Sequence, residues 1–350
     1  MINSKTYQEE IEKIIKMDIP FEKLDNKKVL ITGATGLIGS FLVDTLMLYN
    51  KLNNKNIKIV ATSFREEGIK NRFKDYIGNK NFTYFTQDIT KPVTYQEEVN
   101  YIFHLASNAD PRSFKTDPVG IITSNVIGVY NLLEYAKEKN VERLLYTSSG
   151  EVYGQADSSI KEFVEDYSGY VNPTNPRSCY PNSKRCAETL CVSYSEEYNI
   201  NTVIARPSHV YGPTMTKKDS RVYAEFIRNV LNGEDITLKS KGDTIRSYTY
   251  VADCVSALLY IMLLGEDKEA YNIANKNSII SIKELAETIA GIGNKKVLYD
   301  IPKEVPSNDN PMKCGVLNAN KLETLGWHAL SDFKTGITST INILKEANND

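Results

Sequence analysis

A short apolar run that ends in glycine and leads into a helical pattern is the feature that most constrains this chain. The run covers residues 28–32, and apolar side chains at helical spacing follow over residues 40–49. Further strand patterns lie at 57–61, 82–85, 101–105, 143–147 and 202–206, and helical patterns at 119–138 and 181–198. Strands that alternate with helices through short connections form a parallel sheet with helices on both faces. The sequence therefore predicts an α/β protein with a doubly wound parallel sheet.

The turn after the first strand has the composition of a phosphate-binding loop. Gly33, Gly36 and Gly39 stand three residues apart between the strand and the helix. Glycines there permit a tight turn and close backbone approach to a pyrophosphate, and the helix N-terminus supplies amide donors. Because the strand–turn–helix context is present, the loop predicts a dinucleotide-binding site.

Composition excludes several classes of protein. The 350 residues contain 42 Lys and Arg against 44 Asp and Glu, a net charge of −2, so we expect no nucleic-acid partner. No run approaches the ~18 apolar residues of a membrane span, and residues 1–18 have the pattern of a surface helix. Without a Cys-x-x-Cys pair or metal-ligand spacing of histidines, we expect free thiols, a cytoplasmic location and no metal. The cysteines are Cys179, Cys186, Cys191, Cys254 and Cys314.

Length and pattern divide the chain into three predicted regions, because 350 residues exceed what one core usually holds. Residues 1–26 form a helical extension. Residues 27–206 form the dinucleotide-binding domain, to which residues 251–265 return. Residues 207–350 are mainly a substrate-binding lobe, within which a capping box at Ser281–Glu284 begins a helix.

Tyr180 and Lys184 have the clearest chemical potential. Four residues apart, they share one face of a helix. A free tyrosine has a pKa near ~10, and a nearby ammonium favours the phenolate. Such a tyrosine can remove a hydroxyl proton while hydride leaves the same carbon, or protonate a carbonyl oxygen in the reverse direction. Ser149 follows a sheet strand, at the edge where ligands bind in such sheets.

Together these motifs resemble the extended short-chain dehydrogenase/reductase family, which includes the NAD-dependent epimerases and dehydratases of nucleotide sugars. The resemblance covers residues 27–346 and includes the segment Leu322–Trp327. It implies a Rossmann-type fold with a smaller mixed α/β substrate lobe. It also implies a UDP- or CDP-linked sugar as substrate and a homodimer formed through a two-helix interface.

The resemblance assigns roles to individual residues. Ser149, Tyr180 and Lys184 match the family's catalytic residues, and Glu151 is a further catalytic candidate. His104 is assigned no chemistry. The dinucleotide contacts implied are Gly33, Thr35, Gly36, Leu37, Ile38, Gly39, Asp88, Ile89, Leu105, Ala106, Ser107 and Asn125, together with Tyr180 and Lys184.

Within the family, the segments around Ser149 and Tyr180 are most similar to UDP-glucuronate decarboxylases. Those enzymes have a glutamate two residues after the serine or threonine and an arginine three before the tyrosine, which Glu151 and Arg177 match. Arg246 resembles the family's diphosphate-binding arginine, and Arg221 is a second candidate for a phosphate or sugar contact. An arginine's planar fork suits phosphate and carboxylate alike.

Two positions depart from that pattern. Gly150 stands where decarboxylases usually have serine and 4,6-dehydratases have aspartate, which removes the dehydratase acid and weakens the decarboxylase assignment. His209 stands where relatives commonly have an asparagine that contacts the diphosphate. It is either a substrate contact or a packed loop histidine.

The end of the second strand indicates which dinucleotide binds. An NAD site would have an acidic side chain there, which accepts from the ribose 2′-hydroxyl. This chain has Ser63 and Arg65, with Lys70 or Arg72 behind, and these suit a 2′-phosphate unless Arg65 is a solvated loop residue. We therefore expect NADP(H), with NAD(H) as the alternative.

Four functions are consistent with these residues. The main expectation is NADPH-dependent reduction of a nucleotide-linked keto sugar, for example a ketose to an alditol, in capsule or envelope polysaccharide biosynthesis. The alternatives are decarboxylation of UDP-glucuronate, NAD-dependent epimerisation with Glu151 as the base, and a non-catalytic dinucleotide sensor. The set Ser149, Tyr180 and Lys184 argues against the sensor, which needs none of them.

Overall fold

The computed structural model describes residues 1–157, 159–216, 218–302 and 315–349, so Cys314 lies outside the described residues. The strands are β1 Lys28–Thr32, β2 Lys58–Ser63, β3 Phe82–Thr86, β4 Tyr101–His104, β5 Arg143–Thr147, β6 Thr202–Pro207, β7 His209–Tyr211, β8 Ile236–Leu238, β9 Ile245–Tyr250, β10 Ala270–Ile273, β11 Ile279–Ser281 and β12 Val297–Tyr299. The α-helices are α1 Lys5–Ile15, α2 Leu37–Asn53, α3 Glu66–Arg72, α4 Ser113–Thr116, α5 Pro118–Glu138, α6 Cys179–Tyr198, α7 Val222–Leu231, α8 Val251–Leu264, α9 Ile282–Ile292, α10 Asn320–Glu323 and α11 Phe333–Asn349.

A seven-stranded parallel sheet in the order β10–β6–β5–β4–β1–β2–β3 forms the centre of the molecule. Alternate residues of its strands enter two separate cores. Leu30 packs with residues of α5 and α6, whereas Val29 and Ile31 pack with residues of α2 and α8. Helices therefore cover both faces, and the predicted doubly wound α/β fold is confirmed. The order reverses between β1 and β4, which creates a crevice at their carboxyl ends.

The N-terminal helix α1 is held to the first core by a buried carboxylate. The Tyr7 hydroxyl donates to Asp44 on α2 over 2.7 Å, the Tyr76 hydroxyl donates to the same carboxylate over 2.9 Å, and Arg72 pairs with it. The sequence suggested that Arg72 stands behind Arg65. In the structure its guanidinium belongs to this network instead. Lys70 pairs with Glu66 one turn away on α3, over 2.8 Å.

The second lobe packs against the carboxyl ends of the large sheet. It contains a three-stranded sheet, β11–β9–β7, and a two-stranded sheet, β12–β8. The capping box at the start of α9 is confirmed, since Ser281 and Glu284 bond each other's backbone amides. β10 joins the large sheet beside β6, although it follows residue 265 in the chain. None of the helices described is long and apolar enough to cross a bilayer.

Candidate active site

A cleft of about 450 Å³ lies where the carboxyl ends of β1, β4, β5 and β6 meet the second lobe. Gly33 and Leu105 line it from β1 and β4, and Ser149 lines it from β5. His209 and Arg221 line it from the second lobe. The cleft therefore lies at the switch point of the sheet, where ligands bind in open α/β folds.

The phosphate loop needs glycine at two of its positions. Gly33 has a φ of +65°, and a Cβ there would lie 2.8 Å from the backbone of Ala106. A Cβ on Gly39 would overlap the carbonyl oxygen of Gly33. Among the described residues, nothing accepts from the amides of Leu37 and Ile38, which begin α2. Free amides at the start of a long helix that faces a cleft fit the pyrophosphate of a dinucleotide.

His104 braces the loop from behind and is not available for proton transfer. The Thr32 hydroxyl accepts from the amides of Leu105 and Ala106, both over 3.2 Å, so its own proton is donated to Nδ1 of His104 at 2.7 Å. Burial, together with the charge of Lys184, lowers the pKa of His104 to about 3. The imidazole is therefore neutral at physiological pH.

Tyr180 and Lys184 meet on the first turns of α6, as the spacing predicted, but their electrostatics differ from the expectation. Burial raises the pKa of Tyr180 to about 12, and the charge of Glu151 acts in the same direction. Burial lowers the pKa of Lys184 to about 7; its Nζ donates to the Thr147 carbonyl over 2.8 Å and lies 5.7 Å from the Tyr180 ring centroid. The expectation of a lowered pKa for Tyr180 was wrong: the pKa is raised, because burial is the largest influence on it.

Asn125 lies behind the cleft rather than in its wall. The Ser107 hydroxyl donates to Oδ1 of Asn125 over 2.9 Å, and Nδ2 of Asn125 donates to the Ser183 hydroxyl over 2.9 Å. Ser183 in turn donates to the Tyr180 carbonyl over 3.0 Å. Asn125 therefore ties Ser107, which lines the cleft, to the helix that carries Tyr180.

Glu151 enters the cleft from a short 3₁₀ turn that Ser149 begins. The Ser149 hydroxyl accepts from the Glu151 amide over 3.2 Å. Arg177 donates to both carboxylate oxygens of Glu151, each over 2.9 Å, so the pair is bidentate. Glu151 lines the cleft, whereas Arg177 stands behind it. The two residues that the sequence singled out together are thus paired beside Tyr180.

The absence of a side chain at Gly150 is matched by Leu317. A Cβ at Gly150 would lie 3.1 Å from Cδ1 of Leu317, which is buried and lines the cleft. A serine there would require Leu317 to move. Leu317 belongs to none of the sequence motifs, so only the structure reveals that it lines the cleft beside Gly150.

The second lobe contributes Arg221 and His209 to the wall of the cleft. Arg221 pairs with Asp219 through Nη2 at 2.5 Å. His209 lines the cleft, and its pKa is lowered to about 4 by the enclosure of its ring and by the charges of Arg246 and Arg221. Arg246 is buried, does not line the cleft, and leaves no room for a Cβ on Gly315.

The adenosine end of the predicted site lacks an acidic side chain at the end of β2. Ser63 shares a hydrogen bond of 2.9 Å with Thr35, and Arg65 is exposed. The Asp88 carboxylate accepts from the hydroxyl and amide of Thr90, over 2.7 and 3.0 Å, which lowers its pKa. Ile89 packs against α5, where a Cβ on Gly128 would lie 2.9 Å from it. Among the described residues, no three His, Cys, Asp or Glu side chains converge to hold a metal ion.

A glycine loop at the switch point, with a serine, a tyrosine and a lysine at the adjacent strand and helix, defines a Rossmann-type, dinucleotide-dependent enzyme. The chain belongs to the NAD-dependent epimerase/dehydratase family, whose model matches residues 29–274. The resemblance to extended short-chain dehydrogenases/reductases is thereby confirmed.

The relatives of known activity are nucleotide-sugar enzymes. The chain is 38% identical over 312 residues to UDP-glucuronic acid decarboxylase 5 of Arabidopsis thaliana, covering 89% of this chain and 87% of the relative. It is 32% identical over 324 residues to UDP-glucuronic acid decarboxylase 1 of Xenopus tropicalis, covering 92% and 73%. It therefore belongs among enzymes that modify nucleotide sugars.

Solved structures share the fold at lower identity. UDP-glucose 4-epimerase of Thermotoga maritima, solved with UDP-glucose, matches with a TM-score of 0.79 and 24% identity, covering 92% of this chain and 99% of that one. UDP-glucuronic acid 4-epimerase of Bacillus cereus, solved with UDP-glucuronic acid and NAD, matches with a TM-score of 0.76 and 23% identity, covering 91% and 99%.

Proposed function

We propose that the protein decarboxylates UDP-glucuronate with a retained NAD. The observation that carries this proposal is the bidentate pair of Glu151 and Arg177 beside Tyr180, because these are the two residues that match the decarboxylase pattern. The relatives named UDP-glucuronic acid decarboxylases support it. Decarboxylation was the alternative in the sequence analysis, and it now stands ahead of net reduction.

The residues of the cleft suit this reaction. When bound, NAD⁺ supplies a reversible hydride acceptor for C4 of the sugar and a positive charge that favours the phenolate of Tyr180. Tyr180 holds the proton of the C4 hydroxyl and later returns it, while Ser149 bonds the same oxygen. Loss of CO₂ from the 4-keto acid leaves an enolate on that oxygen, which the hydroxyls of Tyr180 and Ser149 stabilise. A solvent proton at C5 converts the enolate into a 4-keto pentose, and return of the hydride to C4 with the proton of Tyr180 on the oxygen gives the UDP-pentose. Glu151 accepts from sugar hydroxyls in the orientation that Arg177 imposes.

NAD is proposed in place of the expected NADP(H). Arg72 is occupied by Asp44 and Lys70 by Glu66, so only Arg65 and Ser63 would face a 2′-phosphate. A reaction that oxidises and re-reduces one sugar returns its hydride and has no need to exchange the dinucleotide. Solved structures of this fold contain NAD, which supports the same choice.

A homodimer is proposed from the outer face of α5 and α6. Val119, Ile122, Ile127 and Tyr130 lie on one face of α5 and are 40–72% exposed, and Tyr198 on α6 is 38% exposed. Two such faces would bury each other's apolar side chains, and light scattering should give twice the chain mass. The cytoplasmic location and the capsule or envelope setting stay expectations from the sequence.

Net reduction of a nucleotide-linked keto sugar is the second candidate, because β2 ends without an acidic side chain. The test is to incubate the purified protein with carboxyl-labelled UDP-glucuronate and to follow CO₂ and the sugar by NMR. We expect one CO₂ and one UDP-pentose per substrate without net NADH, and none with Tyr180→Phe. NADPH oxidation by a keto sugar without CO₂ release would instead establish the reductase.

A further inference from the structure

Phe114 on the short helix α4 belongs to none of the sequence motifs, yet it contacts the catalytic tyrosine. Its side chain is 1% exposed, and its ring stacks on that of Tyr180 with centroids 4.6 Å apart and planes 20° apart. Phe114, Tyr180, Ile121 and Cys179 form a small buried cluster separate from the two main cores. The ring of Tyr180 is therefore fixed by one aromatic neighbour rather than by a large core.

The same phenyl ring contacts the residue that holds Glu151. The guanidinium of Arg177 lies 4.6 Å from the ring centroid of Phe114, and both of its Nη atoms donate to Glu151. Stacking on an aromatic face restricts a guanidinium without using its donors. Phe114 thus contacts two groups that must act on one sugar, the phenol and the arginine of the ion pair.

The segment that carries Phe114 is itself anchored to both sides of the cleft. Ser107 bonds Asn125 on α5. Asp110 accepts from the Ser220 hydroxyl over 2.6 Å, and Arg112 donates to the Lys218 carbonyl over 3.0 Å, which ties the segment to the second lobe. The position of α4 is therefore determined by the protein around it.

We propose that Phe114 is a positioning residue that fixes the Tyr180 ring and the Glu151–Arg177 pair relative to each other. The proposal rests on the proposed function for its kinetic readout only. Because the Phe114 ring contacts Tyr180 and Arg177 by stacking, it leaves all hydrogen-bonding groups of both residues available to the site. Its loss would leave each group intact and misplaced, and a misplacement of about 1 Å can cost about a hundredfold in rate.

The charges around Tyr180 predict a second effect. Glu151 raises the pKa of Tyr180, whereas Arg221 and hydrogen bonds from Ser149 and Ser107 lower it, and the Lys184 ammonium lies 5.7 Å from the ring. If Arg177 loosens, it neutralises less of the charge of Glu151. The pKa of Tyr180 then rises further, and the acid limb of the kcat profile moves to higher pH.

The kinetic experiment compares Phe114→Met and Phe114→Leu, which remove the ring, with Phe114→Tyr, which keeps it. We expect the first two to lower kcat by about ten- to a hundredfold and to shift the acid limb upward, with KM for UDP-glucuronate little changed. Phe114→Tyr should stay within about threefold of wild type. A change in KM alone would mean direct substrate contact and would overturn the proposal.

Phe73 provides the matched control, because it too is 1% exposed, stacks on a tyrosine, Tyr76, and lies under an arginine, Arg72, far from the cleft. Phe73→Met should lower thermal stability without moving the kcat profile. Equal kinetic effects from Phe73→Met and Phe114→Met would overturn the proposal.

A readout without substrate separates this proposal from the proposed function. With 3-fluorotyrosine placed at position 180, we expect one narrow ¹⁹F resonance in wild type and in the Phe114→Tyr and Phe73→Met variants. Phe114→Met or Phe114→Leu should split or broaden it. An unchanged resonance in Phe114→Met and Phe114→Leu would refute the positioning role. If the resonances change as expected but the wild type does not turn over UDP-glucuronate, only the decarboxylase function would be refuted.

Discussion

The two walls of the cleft are built from different chemistry. The loop wall, residues 33–39 with Leu105, offers glycines and the free amides at the start of α2. The charged wall offers Glu151 held by Arg177, Arg221 held by Asp219, and the neutral His209. The loop wall offers backbone groups to a ligand, whereas the charged wall offers side chains, two of which are held by partners.

This difference indicates where the enzyme is constrained and where it can vary. Backbone amides bind a pyrophosphate whatever the neighbouring side chains are, provided that the chain can approach closely. A side chain held in an ion pair binds a ligand through hydrogen bonds whose direction depends on both residues of the pair. The loop wall therefore suits the part that all members of the family share, and the charged wall suits the sugar that distinguishes them.

The largest expected effect is that of Tyr180→Phe, which removes a phenol that lines the cleft and belongs to neither wall. Turnover should fall by roughly 10²–10⁴-fold, while NAD binding stays close to wild type because it depends on the loop wall. Steady-state kinetics and a fluorescence titration measure the two. Tyr146→Phe is the control, because that buried hydroxyl has no hydrogen-bond partner among the described residues. Retention of more than a tenth of wild-type turnover would remove Tyr180 from its role.

Arg221→Ala should act on the charged wall alone. Loss of a hydrogen bond to a charged group costs about 1.5–3 kcal/mol, so UDP-sugar affinity should fall roughly ten- to a hundredfold. Arg221→Lys keeps the positive charge but loses the planar guanidinium, so its UDP-sugar affinity should lie between those of wild type and Arg221→Ala. Isothermal titration of UDP-glucuronate and of NAD⁺ measures both sides, and an equal loss for the two ligands would show that Arg221 does not belong to the substrate side.

Gly39→Ala should act on the loop wall alone. Its Cβ would overlap the Gly33 carbonyl, so we expect a loss of about 1–3 kcal/mol in stability and a weaker NAD⁺ site. Gly291→Ala on α9 is the matched control, because no residue that the structure describes lies near its Cβ, and it should stabilise by about 0.4–1 kcal/mol. Thermal melts with and without NAD⁺ make the comparison. If Gly39→Ala melted like wild type and bound NAD⁺ normally, close packing of the loop would not matter.

The smallest expected effect is that of Arg65→Ala on NAD⁺. Its side chain is exposed, and its neighbours Arg72 and Lys70 are engaged elsewhere, so the affinity should change by less than about twofold. Titration with NADP⁺ in parallel decides between the dinucleotides. A wild type that prefers NADP⁺, with the preference lost in Arg65→Ala, would restore the reductase to first place.

The amino-acid sequence alone predicted the fold and the chemical groups of the candidate site. The alternation of strands and helices, the glycine loop and the spacing of Tyr180 and Lys184 are local patterns, and local backbone physics fixes what they form. These patterns predicted the loop wall, and the resemblance to decarboxylases singled out Glu151 and Arg177 without predicting that they form an ion pair.

Which groups lie together, and how their pKa values shift, depended on the folded arrangement of the chain. It placed Phe114 on Tyr180, Leu317 against Gly150 and Arg72 on Asp44, contacts between segments far apart in the chain. It also raised the pKa of Tyr180 where the sequence suggested a lowering. Burial is a property of the whole fold, and in a low-dielectric interior it outweighs a single neighbouring charge, so no local spacing could have predicted it.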